Sequence, residues 1–223
     1  LKFKVWGISG STWALNKKGD YDFTLTNLTT ILWLFGDKEN ILYPETRDYL
    51  VNNLLSEEGG DFRYAVPYSL GLWKDTENHI LMTEGSRYLK NRWLALHGNT
   101  AEKYNNVKNG MEEKLLSYLD EMRINGLYEF NSLPYIGYTL VALLNLEAFG
   151  SERLSTKARE VLDYMNWCYA LGSYQLKRYP PMRRRYEKAY IQKLLTDYHS
   201  AFMKSWLSFS PVEKFDTDFY KAE

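Results

Sequence analysis

Three short stretches of this chain combine polar, charged and aromatic side chains in a way that could support catalysis. In the first, Glu77, Asn78 and His79 follow an aromatic segment and open a predicted helix. The start of a helix offers free backbone N–H groups and the positive end of the helix dipole, which favours the neutral form of a nearby imidazole. A neutral histidine beside a carboxylate and an amide is a good candidate for a general base.

The same cluster also has a purely structural interpretation. Asp75 or Thr76 would cap the helix, Glu77 would interact favourably with its dipole, and His79 would hydrogen-bond a neighbouring loop. The chain has three histidines, and the other two, His97 and His199, are isolated from polar clusters and are interpreted as structural. His79 is therefore the histidine on which the sequence places a chemical hypothesis.

The second stretch, residues 126–139, is a loop that runs into another predicted helix. It presents Glu129 as a candidate catalytic carboxylate, followed by Tyr135 and Tyr138, which are three residues apart and share a helix face. Tyr135 is the candidate proton donor, and Tyr138 is a candidate donor or substrate contact. The alternative is that Ser132 caps the helix and that both tyrosines pack in the core.

The third stretch, residues 173–185, interleaves basic and aromatic side chains, among them Tyr174, Arg178 and Arg183. Arginine forks bind carboxylate or sulfate, and aromatic rings stack on sugars, so we expect these three residues to contact substrate. A solvated basic loop is the alternative. A nucleic-acid partner is not expected, because 28 basic residues balance 28 acidic ones and no second basic stripe occurs.

Aromatic residues make up 16% of the chain, which is a high share. Tyrosine and tryptophan combine an apolar ring with a hydrogen-bonding tip, so they suit both wet clefts and thick cores. Tyr68 and Trp73, in the segment before Glu77, are predicted to form a stacking platform for substrate, and Tyr88 is predicted to join them. The alternative is that this segment covers the core.

Several classes of protein are excluded by composition and motifs. Cys168 is the single cysteine, so neither an intrachain disulfide nor a multi-cysteine metal site can form, and we expect it to be a small buried apolar residue. Metal-binding, phosphate-loop and dinucleotide motifs are missing, so no metal or cofactor is predicted. The longest apolar run, 138–146, is too short to span a membrane. A secreted or periplasmic location is favoured over others.

Hydrophobic periodicity predicts an all-α protein with one domain over residues 1–223 and an irregular arm at 1–23. Gly126, Ser151 and Gly172 are predicted helix boundaries. Connections alternate in length, which predicts helical hairpins packed side by side and curving into an arc or ring. The predicted helices cover about residues 25–36, 45–55, 77–93, 101–123, 134–149, 152–171 and 186–206.

The sequence resembles the (α/α) toroid carbohydrate-active proteins, namely polysaccharide lyases and related glycoside hydrolases. The resemblance rests on Glu77-Asn78-His79 at a helix start and on residues 126–135 before an apolar helix, within a match over about 64–179. It implies an oligo- or polysaccharide partner and a partial or complete toroid. Seven helices are too few for a full toroid, so it implies a partial ring or a piece of a larger protein.

In that family, Asn78 and His79 resemble the lyase Asn/His pair. A lyase acting on a uronate-containing glycan would use Asn78 to polarise the substrate carboxylate, His79 or a tyrosinate as base, and a tyrosine as acid. A glycoside hydrolase would instead pair Glu77 with Glu129, at about 5 Å for retention or about 6.5–9.5 Å for inversion. A non-catalytic scaffold that binds glycan or protein is the third hypothesis. The lyase is favoured, and it requires His79 and Glu129 to face one cleft.

Overall fold

The structure is a computed structural model that describes residues 21–56, 63–65, 72–74, 76–132, 135–174 and 177–179, with backbone alone at 63–65, 72–74 and 177. The described chain is mostly helical, which confirms the predicted all-α class. The helices are α1 (Tyr21–Phe35), α2 (Pro44–Tyr49, continued by a π-helical turn Leu50–Leu54), α3 (Glu77–Leu96), α4 (Met111–Asn125), α5 (Ile136–Phe149) and α6 (Glu152–Leu171). Two short antiparallel pairs accompany them: β1 (Arg63–Ala65) with β2 (Leu72–Lys74), and β3 (Ser173–Tyr174) with β4 (Lys177–Arg178).

Helices α1 and α3 pack side by side and run in the same direction. Near their N-terminal ends, Asp22 hydrogen-bonds His79. Near the opposite ends, the rings of Trp33 and Trp93 meet edge to face with centroids 5.5 Å apart. Two contacts in the same order along both helices fix the parallel arrangement.

Helix α5 joins the same layer, with the same direction as α1. Phe23 and Tyr138 meet near the N-terminal ends, with ring centroids 4.4 Å apart, and Trp33 stacks on Phe149 near the C-terminal ends at 5.3 Å. Between these contacts, Asn145 donates a hydrogen bond to the carbonyl oxygen of Thr26. The N-terminal ends of α1, α3 and α5 therefore lie at one end of the layer.

Helices α4 and α6 form a second layer. Arg153 binds Glu113 at 3.3 Å and Lys157 binds Asp120 at 2.9 Å, so these two helices are parallel to each other. Helix α6 follows α5 after the two-residue turn 150–151 and packs back along it. The last turn of α6 and the β3–β4 hairpin therefore lie at the same end of the molecule as the start of α5.

The buried apolar side chains form two clusters. The larger cluster lies among α3, α4, α5 and α6, and it includes the fully buried Leu119 and Leu143. The smaller cluster lies between α1 and residues 42–55, and Trp93 of α3 completes it. Trp33 packs against both clusters, so the Trp33–Trp93 contact connects them.

The predicted start of the fourth helix at residue 101 is wrong, because α4 begins at Met111. The side-chain oxygen of Asn105 accepts hydrogen bonds from the backbone N–H groups of Val107 and Lys108, which holds the chain in a turn. Gly110 then adopts a φ of 78°, a left-handed conformation that glycine accepts without strain. These local bonds compete successfully with a longer helix.

Other helix boundaries agree more closely with the predicted ones. The predicted cap of α6 is confirmed, because Ser151 Oγ accepts a hydrogen bond from the N–H of Leu154. Helix α1 starts at Tyr21, inside the predicted arm, and α5 starts at Ile136 rather than at residue 134. The predicted helix at 186–206 lies outside the described residues. None of the described helices combines the length and apolar character that crossing a bilayer requires.

Candidate functional site

The described parts of the three stretches singled out in the sequence converge at one end of the fold. Residues 77–79 open α3, residues 135–138 open α5, and residues 173–174 and 177–178 follow the last turn of α6. The parallel packing of α1, α3 and α5, with α6 antiparallel to α5, places all these segments at the same end. The tertiary structure therefore brings together what the sequence separates by about 100 residues.

His79 forms a side-chain pair with Asp22 at this end of the layer. Its Nδ1 hydrogen-bonds Oδ2 of Asp22, whose side chain is completely buried. An ionised carboxylate only accepts hydrogen bonds, so Nδ1 carries the hydrogen and Nε2 becomes the nitrogen that can take a proton. The imidazole keeps a small exposed surface. This pair has the chemistry of an oriented general base.

Aromatic rings surround the Asp22–His79 pair on the α5 side. Phe23 lies edge-on to the imidazole, with centroids 5.4 Å apart, and edge-on to Tyr138 at 4.4 Å. Tyr135 precedes α5, and its ring centroid is 6.4 Å from that of Tyr138. Both tyrosines are half-buried. The phenyl ring of Phe23 therefore lies between the imidazole and the Tyr138 ring, and Tyr135 lies beside Tyr138.

Glu77 and Glu129 also converge, but both are buried. Oε1 of Glu77 accepts a hydrogen bond of 2.7 Å from the backbone N–H of Glu129, and the Glu129 side chain is only 2% exposed. The backbone N–H of Tyr128 binds the same carboxyl group. Glu77 thus ties the segment 126–132 to the start of α3, two residues before His79. Glu129 does not open onto solvent, so the expectation that His79 and Glu129 face one cleft does not hold, and a lyase reaction here has to use His79 and the tyrosines without Glu129.

Burial raises the pKa of Glu77 above its usual value, and the neighbouring Glu129 carboxyl raises it further, against the lowering effect of the backbone N–H groups. A folded-state pKa above the unfolded one means that the folded protein binds more protons. The stability that Glu77 contributes is therefore fully present below its unfolded pKa and is lost as the pH rises through its folded pKa.

We expect Glu77→Gln to make the free energy of unfolding less dependent on pH above about pH 4.3, since the amide does not titrate but keeps an acceptor oxygen for the Glu129 N–H. Glu77→Ala should cost about 1–3 kcal/mol, because that buried N–H loses its acceptor. Urea unfolding between acidic and neutral pH measures both effects, with the exposed Glu39→Gln as the charge control. An unchanged pH slope in Glu77→Gln would contradict the assignment.

Asn78 precedes His79 in the first turn of α3 and is completely buried. Its Oδ1 accepts a hydrogen bond from the hydroxyl of Thr76, the residue at the N-cap position of α3. Its Nδ2 finds no acceptor among the described residues. Asn78 therefore braces the helix start and holds a buried donor there, but it presents no surface to a polymer. Asp75, the other predicted cap, lies outside the described residues.

Tyr88 is also buried, with 1% of its surface exposed, so no face of it is available for stacking on a sugar. Its hydroxyl donates to Oε2 of Glu112 at 3.0 Å and accepts from the backbone N–H of Ser151 at 3.2 Å. Tyr88 therefore links α3 to α4 and to the start of α6. Burial and the Glu112 carboxylate raise the pKa of Tyr88.

Tyr88→Phe should lower the free energy of unfolding by about 1–3 kcal/mol, because the buried Glu112 carboxylate and the Ser151 N–H both lose a partner. Chemical denaturation checks this, with the exposed Tyr43→Phe as a control that removes the same hydroxyl from the surface. Equal stability of the two variants would mean that the Tyr88 hydrogen bonds contribute nothing.

Arg178 and Tyr174 lie on another flank of the same end. The Arg178 side chain is buried beside a cavity between the segment 126–132 and α6, with its guanidinium carbon 5.9 Å from the Tyr169 ring centre, whereas Tyr174 is exposed. Ile136 lines this cavity, while Tyr138 contacts Phe23. Positions two apart on a helix point about 200° apart, so the cavity and the Asp22–His79 pair are on different flanks of α5.

Three predicted substrate-binding residues remain, namely Trp73, Tyr68 and Arg183. Trp73 lies in β2, where it pairs with Tyr64 of β1. Tyr68 and Arg183 lie outside the described residues. Within the described part of the chain, no group of three or more His, Cys, Asp or Glu side chains is arranged to hold a metal ion.

Sequence reasoning missed Asp22, because this residue falls within the predicted irregular arm. One signal was available: Asp22 directly precedes the apolar helical pattern that begins at Leu25, and acidic residues are favoured in the first turn of a helix. That signal places Asp22 on a helix start. It does not identify His79, 57 residues further along, as its partner.

Comparison of the chain with protein-family models, with curated proteins and with solved structures finds no match. The candidate site therefore stands on its own geometry.

Proposed function

We propose that this protein processes carbohydrate, and that it cleaves an acidic, uronate-containing glycan by β-elimination with His79 as the base. The observation that carries the proposal is the hydrogen bond between Asp22 and His79 at the shared N-terminal end of three parallel helices. A second support is the sequence resemblance to (α/α) toroid enzymes, since their clefts are lined by the loops between helices.

The helix arrangement supports a partial (α/α) toroid. The layer of α1, α3 and α5 is covered by α4 and α6, and successive helices of each layer run parallel. If an arc repeats this unit, all the loops that precede helices of the α1, α3 and α5 layer lie at one end of it. Such an arc gives a long cleft in which a polymer can lie across several helix starts.

His79 acts as base in this proposal. Asp22 orients the imidazole and stabilises the imidazolium once it forms, which is the role of the carboxylate in an Asp–His pair. Nε2 takes the proton from the ring carbon next to the uronate carboxylate. The electron pair of that C–H bond forms the new carbon–carbon double bond, and the glycosidic C–O bond at the neighbouring carbon breaks.

A tyrosine supplies the proton that the leaving oxygen needs. Tyr138 is the better candidate, because it shares the Phe23 ring with His79, and Tyr135 is the neighbouring alternative. A phenol is an effective acid here because the leaving alkoxide is a much stronger base than a phenolate. One proton is then removed from the ring carbon next to the carboxylate, and the other is donated to the glycosidic oxygen that leaves the adjacent ring carbon.

The substrate carboxylate must be neutralised, because negative charge accumulates on it as the proton leaves. The sequence assigns this role to Asn78 with an arginine near Arg183. Asn78 is buried and hydrogen-bonded to Thr76, so in the proposal it braces the start of the helix that carries the base, and the charge-neutralising group is Arg183 or its neighbours Arg184 and Arg185. These arginines lie outside the described residues.

The structure gives less support to a hydrolase that pairs Glu77 with Glu129. Both carboxyl groups are buried, and Glu77 is occupied by backbone N–H groups of the segment 126–132. A glycosidase needs its two carboxyl groups on either side of a bound sugar. Because neither carboxyl group is exposed to solvent, a sugar cannot bind between them.

The test is incubation of the protein with a panel of uronate polymers, comprising alginate, polygalacturonate, glucuronan and hyaluronan. The expected result is ultraviolet absorbance of a conjugated unsaturated uronate, which appears together with new reducing ends. New reducing ends without this absorbance would replace the lyase by a hydrolase. If no polymer gives either signal, both reactions are rejected and a binding role remains.

A further inference from the structure

A mainly apolar cavity of about 160 Å³ lies between the segment 126–132, the last turns of α6 and the strand pair β3–β4. Most of the described side chains in its wall are aromatic, aliphatic or sulfur-containing. Phe130 and Tyr179, which are 45% and 56% exposed, stand at its edge, so the cavity can be entered from solvent. Apolar cavities of roughly 150 Å³ stay dry, and they accept a molecule the size of benzene.

Four polar side chains of this wall already have partners within the protein. Asn131 donates a hydrogen bond of 2.8 Å from Nδ2 to the carbonyl oxygen of Tyr179. The Tyr164 hydroxyl and the Cys168 thiol hydrogen-bond each other. Arg178 is buried and takes part in interactions of its own, and its guanidinium group is not accessible from the cavity. A ligand in the cavity therefore meets apolar contacts rather than a charged partner.

The elements around the cavity are held to one another by backbone groups of Tyr179. Its carbonyl oxygen accepts the bond from Asn131, a residue with a φ of 55°, which non-glycine residues seldom adopt. Its N–H donates to the carbonyl oxygen of Gly172, directly after α6, at 2.9 Å. These two bonds join the segment 126–132 and the end of α6 to the residue that follows β4. The cavity is therefore pre-formed, so a ligand does not have to order its walls.

From these observations we propose that the cavity binds a small neutral molecule that consists of one aromatic ring with apolar substituents. A single ring matches the volume, and it packs against the aromatic rings of the wall and the sulfur of Met165, which are favourable contacts for an aromatic ligand. A charged or hydroxylated ligand is disfavoured, because its polar groups would lose water without gaining a partner. The proposal is independent of the proposed lyase reaction, since His79 lies on another flank of α5.

Fluorine NMR tests the proposal with three probes of one ring each, namely fluorobenzene, 4-fluorobenzoate and 2-deoxy-2-fluoroglucose. The fluorobenzene signal should show a saturable shift or broadening as protein is added. The other two probes should bind at least about a hundredfold more weakly, because a buried carboxylate or several buried hydroxyl groups lose their hydration. The proposal is overturned if fluorobenzene shows no saturable effect, or if either polar probe binds as tightly as fluorobenzene.

Cys168 reports where the probe binds, because it lines the cavity and is the single cysteine of the chain. Fluorobenzene at about ten times its dissociation constant should slow the reaction of Cys168 with N-ethylmaleimide about tenfold, since about one tenth of the protein remains free. Mass spectrometry measures this rate. Binding of fluorobenzene without protection of Cys168 would place the ligand elsewhere and overturn the proposal.

Cys168→Phe should abolish fluorobenzene binding, because the added ring occupies the space that the ligand needs. Trp167→Phe is the matched control, since it introduces the same side chain at the neighbouring position, which is 62% exposed and outside the cavity wall, and it should bind fluorobenzene as the unmodified protein does. Circular dichroism checks that each variant is folded. Retained binding in folded Cys168→Phe would overturn the proposal.

A second variant decides the matter if Cys168→Phe does not fold. Leu127 also lines the cavity, so Leu127→Ala widens it. This variant should bind the two-ring probe 1-fluoronaphthalene at least about tenfold more tightly than the unmodified protein does. An unchanged affinity for 1-fluoronaphthalene in folded Leu127→Ala would show that the ligand does not occupy this cavity.

Discussion

Replacing His79 with glutamine should reduce turnover of the uronate polymer by about 10²–10⁴-fold, the usual contribution of a positioned general base. Glutamine keeps a polar side chain that can still hydrogen-bond Asp22, but it cannot take a proton at neutral pH. The effect should appear in kcat more than in KM, because the interaction with the moving proton exists only in the transition state. Initial rates of ultraviolet absorbance measure it.

Asp22→Asn should also be severely impaired, by up to about 10⁴-fold, although Asp22 is buried and does not touch substrate. An amide can donate to Nδ1, which would move the imidazole hydrogen to Nε2 and leave no lone pair for the substrate proton. A purely structural role would lower stability without this selective loss of kcat, so unfolding measurements belong beside the kinetics.

The matched control is His97→Gln at the other end of α3. His97 also pairs with a carboxylate, since its Nε2 lies 2.8 Å from Asp37, but this pair is largely exposed and remote from the helix starts. Turnover by His97→Gln should stay within about twofold of the unmodified protein, as expected for a surface site without a role in the reaction. If His79→Gln behaved like His97→Gln, the imidazole at position 79 would have no part in the chemistry.

Trp93→Ala should lower the free energy of unfolding by about 3–5 kcal/mol, the cost typical of removing a large buried aromatic side chain. Trp93 is 4% exposed and meets Trp33, which packs against both apolar clusters. A cavity at this position would loosen α1 from α3, which are also joined by the Asp22–His79 bond. The loss is a large share of the roughly 5–15 kcal/mol that stabilises an ordinary domain.

Urea denaturation followed by circular dichroism measures the effect of Trp93→Ala. The control is Trp167→Ala, which removes the same side chain from a position that is 62% exposed and should change stability by less than about 0.5 kcal/mol. Both substitutions remove an indole ring, so the comparison separates the effect of burial from that of side-chain size. Comparable losses in the two variants would show that the Trp33–Trp93 contact does not connect the clusters.

The local sequence was sufficient to predict most of the helices. Apolar residues at helical spacing predicted α1, and start and stop residues predicted α3, α5 and α6. The hydroxyl of Ser151 predicted the start of α6, because capping depends on neighbouring residues alone. The sequence failed at 101–110, where side-chain-to-backbone bonds of Asn105 compete with the helix. It also could not predict the π-helical turn at 50–54, which follows directly from α2.

The candidate site was predicted only as separate stretches. Residue types and helix starts indicated His79, Glu129 and Tyr138, because polar groups at the beginning of a helix are visible in sequence. Their exposure was not visible in the same way. Glu129 and Tyr88 are buried. The sequence did not predict this burial, because it depends on which helices pack over these residues, and no local pattern encodes that packing.

The amino-acid sequence by itself thus determined that the chain forms helices, where most of the helices begin, and which polar groups lie at their N-termini. The tertiary structure alone decided that α1, α3 and α5 run parallel, and hence that Asp22 meets His79 while Arg178 lies beside a different cavity. The physical reason is the range of the interactions involved. Caps and periodicity act within a few residues, whereas these pairings depend on apolar packing between segments that are far apart in the chain.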